Sequence, residues 1–161
     1  MSEVRVQVDL LVDTLTKKKQ LLTEIRKYTI DQKAILSIED FDLRAFNNIM
    51  SNKQVRIELL SKLDAGFEAT FERVRNVLST QPDIYRESIL AMKTLIKEVN
   101  DIGIEIQVQE ERNRSNFDAK SKGLKSEVKS LRTHKSAMKK YQNTYNSQRK
   151  ADAPHFFDSK K

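Results

Sequence analysis

Residues 4–36 read VRVQVDLLVDTLTKKKQLLTEIRKYTIDQKAIL. Val4, Val8, Leu11, Leu15, Leu22, Ile25 and Leu36 fall on alternating steps of three and four, and Lys18, Thr29 and Gln32 fill the gaps between them. On a helix with ~3.6 residues per turn, this spacing returns the side chains to one narrow stripe, as in helices packed along their length. A strand would need alternation with a period of two, and no stretch of the chain competes on that pattern. The spacing predicts a long helix over 3–37, and its stripe needs partners of similar length.

The rhythm recurs twice. It breaks at SIEDFD (37–42), where Asp40 or Asp42 can accept a hydrogen bond from the free N–H groups of a new helix. It resumes with Leu43, Phe46, Met50, Ile57, Leu60, Phe67, Phe71, Val74 and Leu78, and Pro82 in STQPD closes this second helix near Ser79. A third register runs Tyr85, Ile89, Met92, Ile96, Val99 and Ile106. After a polar gap it continues through Phe117, Leu124, Val128, Leu131, Met138 and Tyr145. The expected fold is all-α: an antiparallel bundle of three long helices, about 3–37, 42–79 and 83–146, in one domain over 1–146 with a flexible C-terminal tail over 147–161.

Length complicates the third helix. At ~1.5 Å per residue the first two helices span roughly 50–55 Å and the third roughly 95 Å. It can pair with its neighbours only as far as about Asn116, so it is expected either to extend beyond them or to break near 113–116. The sequence there is ERNRSNFD, and Ser115 with Asp118 has capping-box spacing. In both cases residues 117–146 carry an apolar seam that a three-helix core does not obviously cover. Gly66, inside the second helix, is read as a close helix crossing or a mild bend, since it costs ~1 kcal/mol relative to alanine there.

Composition narrows the functional classes. The chain has 161 residues with 33% charged, 38% hydrophobic, three glycines and two prolines. That profile suits long helices rather than a turn-rich fold. Cysteine is absent, which excludes disulfides and thiolate metal sites. No run approaches the 18 apolar residues of a membrane span, and Glu3, Arg5 and Asp9 leave no signal-peptide stretch at the N-terminus. The net charge of +7 is uneven: residues 1–111 hold 16 Lys/Arg against 19 Asp/Glu, and residues 112–161 hold 14 against 4.

Catalytic, metal-binding and cofactor-binding residues are not expected. His134 and His155 have no nucleophile beside them, the glycines at 66, 103 and 123 form no phosphate loop, and Glu39, Asp40 and Asp42 lack the ligand count of a calcium loop. Lys122, Lys125, Lys129, Arg132 and Lys139 form a basic flank beside the apolar seam. Such a face attracts acidic partners. Recognition of nucleic acid would normally add stacking aromatics or a groove-binding motif, and neither occurs, so a protein partner is favoured.

The order of segments resembles the flagellar export chaperones of the FlgN type. It rests on LTKKKQLLTEI (15–25) and QKAIL (32–36) in the first helix, on NKQVRIELLSKLDAGFEATFERV (52–74) in the second, and on a basic stretch leading to FFDSKK (156–161). The related FliT chaperones have a similar all-helical plan. The resemblance implies a non-enzymatic cytoplasmic protein that binds unassembled flagellar subunits, typically hook-associated proteins, and delivers them to the export apparatus. It also implies that the C-terminal helical region binds the client's terminal helix, here through Leu124, Val128, Leu131, Met138, Tyr141 and Tyr145. The protein would be a monomer or homodimer. The rival class is a structural coiled-coil protein that self-associates through the same seam, and a nucleic-acid-binding helical protein is the third. Phe156 and Phe157, behind Pro154, have two readings: a disordered end, or a short docking motif for an export component flanked by Asp158, Lys160 and Lys161.

Overall fold

A computed structural model describes residues 2–121 together with Lys139 and Tyr141. Three helices make up nearly all of this span: α1 (Glu3–Leu36), α2 (Leu43–Thr80) and α3 (Arg86–Lys120). No strand occurs among the described residues. The all-α bundle expected from the heptad-like spacing is therefore present, and the segment 147–161 read as a tail lies outside the described residues.

The first two helices begin where a capping side chain accepts from a free N–H group. Ser2 Oγ accepts from the Arg5 N–H at 3.1 Å to start α1, and Asp42 Oδ1 accepts from the Ala45 N–H at 3.1 Å to start α2. Of the two candidate caps in SIEDFD, Asp42 is the one used. No side chain caps α3. Its start is held instead by α1, because the Arg5 guanidinium lies 4.7 Å from the Tyr85 ring centroid and donates to the Ile84 carbonyl at 3.4 Å. At the opposite end Lys120 donates to the carbonyls of Leu36 and Ile38, placing a cation at the C-terminus of α1, where the helix dipole favours one.

Ion pairs fix the directions. Lys18 meets Asp64 at 2.6 Å and Glu24 meets Arg56 at 2.9 Å, so residue numbers fall along α2 as they rise along α1. Lys19 meets Glu98 at 2.8 Å and Arg26 meets Glu105 at 3.1 Å, so numbers rise together along α1 and α3. The order is up, down, up. The backbones of α2 and α3 both pack on α1 and come close to each other at few points.

The apolar stripes meet in three clusters along the axis. Val8, Leu11 and Leu15 pack with Phe71, Val74 and Leu78 and with Tyr85, Ile89 and Met92 near the start of α1. Leu22 and Ile25 pack with Ile57, Leu60, Val99, Ile102 and Ile106 in the middle. Leu36, Phe41, Phe46, Met50 and Phe117 close the far end. There the ring of Phe117 lies 5.1 Å from Phe46 and 5.8 Å from Phe41. Aromatic pairs at such distances add ~0.5–1.5 kcal/mol each beyond their buried area.

Two expectations change. The third helix does not break at 113–116: α3 runs through those residues and stops at Lys120, where the Ser121 N–H still donates to the Phe117 carbonyl at 2.9 Å. Burial holds this stretch in place, since Asn113 and Phe117 are core residues and Asn113 Nδ2 donates to the Thr29 carbonyl at 2.9 Å. Ser115 and Asp118 are thus interior to the helix and form no capping box. The uninterrupted helix drawn over 83–146 gives way to one that leaves helical geometry at Ser121. Gly66 is exposed, and a Cβ placed there would meet nothing within 4 Å, so no close crossing requires it.

Candidate functional site

Between the middle and far clusters the core turns polar. The α2 stripe steps from Met50 to Ile57 through Lys53, and the α3 stripe steps from Ile106 to Phe117 through Glu110 and Asn113. Opposite them α1 contributes Thr29 and Gln32, two of the three polar residues that fill its stripe. Heptad geometry allows these side chains no other direction than inward.

They bond to one another across all three helices, with Gln32 Nε2 left buried without a hydrogen-bond partner. Lys53 Nζ donates to Gln32 Oε1 at 2.8 Å and forms an ion pair with Glu110 Oε1. Thr29 Oγ1 lies 3.1 Å from the same carboxylate oxygen and 2.8 Å from the Ile25 carbonyl, and it can donate to either. Gln109 Nε2 donates to Asn113 Oδ1 at 2.9 Å, completing the layer. The Lys53 side chain is 1% exposed and that of Glu110 is 15% exposed. Burial pushes the Lys53 ammonium below the usual lysine range, an effect partly opposed by attraction to Glu110 and the hydrogen bond between them.

A lysine with a lowered pKa can serve as a base or a nucleophile when it faces a cleft. Lys53 is instead enclosed by the helices that hold it. What this arrangement does is fix register, since any slip of one helix would separate a buried ammonium from its carboxylate at a cost of several kcal/mol.

The residues proposed to bind a partner fall mostly elsewhere. Leu124, Val128, Leu131, Met138 and Tyr145 lie outside the described residues, as do Lys122, Lys125, Lys129 and Arg132 of the basic flank and Phe156 and Phe157 of the tail motif. Tyr141 and Lys139 are described, and both are helical. Tyr141 is half-buried against the middle cluster, and Lys139 is exposed. Among the described residues no group of three or more histidines, cysteines or carboxylates could hold a metal, and no helix is long and apolar enough to cross a membrane.

Lys53, Glu110 and Asn113 do not stand out as site residues in the sequence, because charged and amide side chains ordinarily face solvent. Register carried the missing signal: 46, 50, 53, 57 and 60 form an unbroken stripe, as do 106, 110, 113 and 117. A cation and an anion each on a core stripe, in helices that must pack together, point to an internal pair. Comparison of the chain with protein-family models, with curated proteins and with solved structures gives no match.

Proposed function

We propose that the protein is a non-enzymatic export chaperone that binds unassembled flagellar subunits of the hook-associated class through the apolar seam of its C-terminal segment. The observation that carries the reading is a surplus. The aromatic clasp at Phe117 closes the core formed by α1, α2 and α3. The chain then continues with Leu124, Val128, Leu131, Met138 and Tyr145 at helical spacing, beside a basic flank. An apolar seam at helical spacing in the sequence beyond the last of the three helices suits the capture of an amphipathic helix from a partner. The resemblance of segment order to FlgN-type chaperones supplies the class of partner, and the export apparatus is the destination. The reading places the protein in the cytoplasm.

The test is size-exclusion chromatography with light scattering on the full chain, alone and mixed with the terminal helical fragment of a hook-associated protein. A defined complex, abolished by Leu131→Asp with Met138→Asp, supports the proposal. Absence of a complex, with mass that climbs with concentration in the isolated protein, supports self-association through the seam instead. The same samples run against generic DNA or RNA at low salt would expose a nucleic-acid binder by a salt-sensitive shift.

A further inference from the structure

The polar layer holds more buried donors than its own acceptors serve. Gln32 is 1% exposed, its Oε1 accepts from the Lys53 ammonium at 2.8 Å, and its Nε2 is buried without a hydrogen-bond partner. Turning the amide over gives no relief, because an ammonium only donates and must meet the amide oxygen. Lys53 adds a second donor. Of its three N–H groups, one meets Gln32 Oε1 and one meets Glu110 Oε1, and the third has no acceptor among the described residues. Glu110 offers the reverse. Its Oε1 serves Lys53 and lies 3.1 Å from Thr29 Oγ1, whereas its Oε2 accepts from none of the described residues.

We infer that this layer binds one internal water molecule, which accepts from Gln32 Nε2 and Lys53 Nζ and donates to Glu110 Oε2. The inference concerns the folded chain and does not depend on what the protein binds.

Distances, valence and charge all fit this ligand. The oxygen and nitrogen of an amide lie ~2.3 Å apart by covalent geometry. With Lys53 Nζ 2.8 Å from Gln32 Oε1, the two nitrogens are therefore at most ~5 Å apart, and one oxygen can lie ~2.9 Å from both. The second oxygen of Glu110 is just as close to the first, which holds it within reach of a water on Lys53 Nζ. Such a water has about three polar partners, the usual number for an internal site. An anion is disfavoured because Lys53 and Glu110 already cancel, so its charge would be buried with nothing to offset the lost hydration. A cation would face the ammonium and the amide N–H groups. The water joins α1, α2 and α3 at one level, where the backbones of α2 and α3 have few approaches of their own.

Oxygen-17 relaxation dispersion of the solvent detects water held inside a protein and is insensitive to exchanging protons. The full chain should show a dispersion step. Gln32→Leu with Lys53→Met and Glu110→Leu removes all three partners and leaves an apolar layer, which stays dry, so the step should fall by about one water. Circular dichroism confirms that the helices of this variant persist. A crystal structure of the parent grown in bromide decides the matter independently of that variant. A solvent peak ~2.9 Å from both Gln32 Nε2 and Lys53 Nζ, without anomalous signal, is the expected result. Equal steps in the parent and the folded variant, a Gln32 amide donating to a backbone carbonyl with no solvent peak beside it, or an anomalous bromide peak in the layer would each overturn the inference.

Discussion

Replacing Lys53 by methionine removes the cation from the polar layer while keeping most of its volume. Glu110 then keeps its carboxylate at 15% side-chain exposure, with Thr29 Oγ1 at 3.1 Å as its remaining neighbour. Breaking a buried pair by removing one partner costs ~3–5 kcal/mol. Residual solvent contact and the threonine hydroxyl reduce this, so Lys53→Met should destabilise by roughly 2–3 kcal/mol. Glu110→Leu alone leaves an ammonium at 1% exposure with Gln32 Oε1 as its hydrogen-bond acceptor, a costlier orphan, and should lose roughly 3–4 kcal/mol. The double variant leaves neither charge behind. It should return to within ~1 kcal/mol of the parent or exceed it, since packed apolar residues often match a buried pair. Urea denaturation followed by circular dichroism at 222 nm gives all four corners of this cycle, and the coupling should be about 4 kcal/mol or more. Single variants that each cost under ~1 kcal/mol and simply add would show that the layer does not hold the three helices in register.

Three further outcomes are expected. The folded state holds the Lys53 pKa below its ordinary value, so at pH between the two values the unfolded chain binds more protons; the difference in stability between the parent and Lys53→Met should therefore shift in favour of the parent as pH rises through that window, measured by denaturation at stepped alkaline pH. Gly66→Ala should stabilise by about 0.5–1 kcal/mol, because the site is an exposed helix interior with open space around it, and a thermal melt would read this as a gain of a few degrees. Asp42→Ala should cost about 1 kcal/mol through loss of the bond to the Ala45 N–H, and Asp42→Asn should recover most of it.

How legible the molecule was in its sequence depended on which force set each feature. Hydrophobic spacing alone located α1, α2 and the first part of α3, because a stripe at steps of three and four has one way to be buried. Pro82 and the aspartates of SIEDFD marked the turns for reasons of backbone chemistry that any local reading can find. Thr29 and Gln32 were recognised as belonging to the stripe, but their partners were not, since a lysine and a glutamate in isolation look solvated and only inter-helix register brings them together. The same blindness made ERNRSNFD look weak: Asn113 is polar in the sequence, yet in the bundle it holds α3 against the Thr29 carbonyl. Gly66 misled in the other direction, because composition cannot say whether a glycine faces a neighbour or water. Of the proposed binding residues, Tyr141 and Lys139 are placed, and Tyr141 turns toward its own bundle.

Hydrogen–deuterium exchange by mass spectrometry on the full chain, with and without the terminal helical fragment of a hook-associated protein, bears most directly on the proposed activity. Binding through the C-terminal seam predicts altered exchange in peptides covering 122–146, with α1, including Thr29 and Gln32 of the polar layer, unchanged. Exchange that is identical in both samples, or altered only on α1, would contradict it.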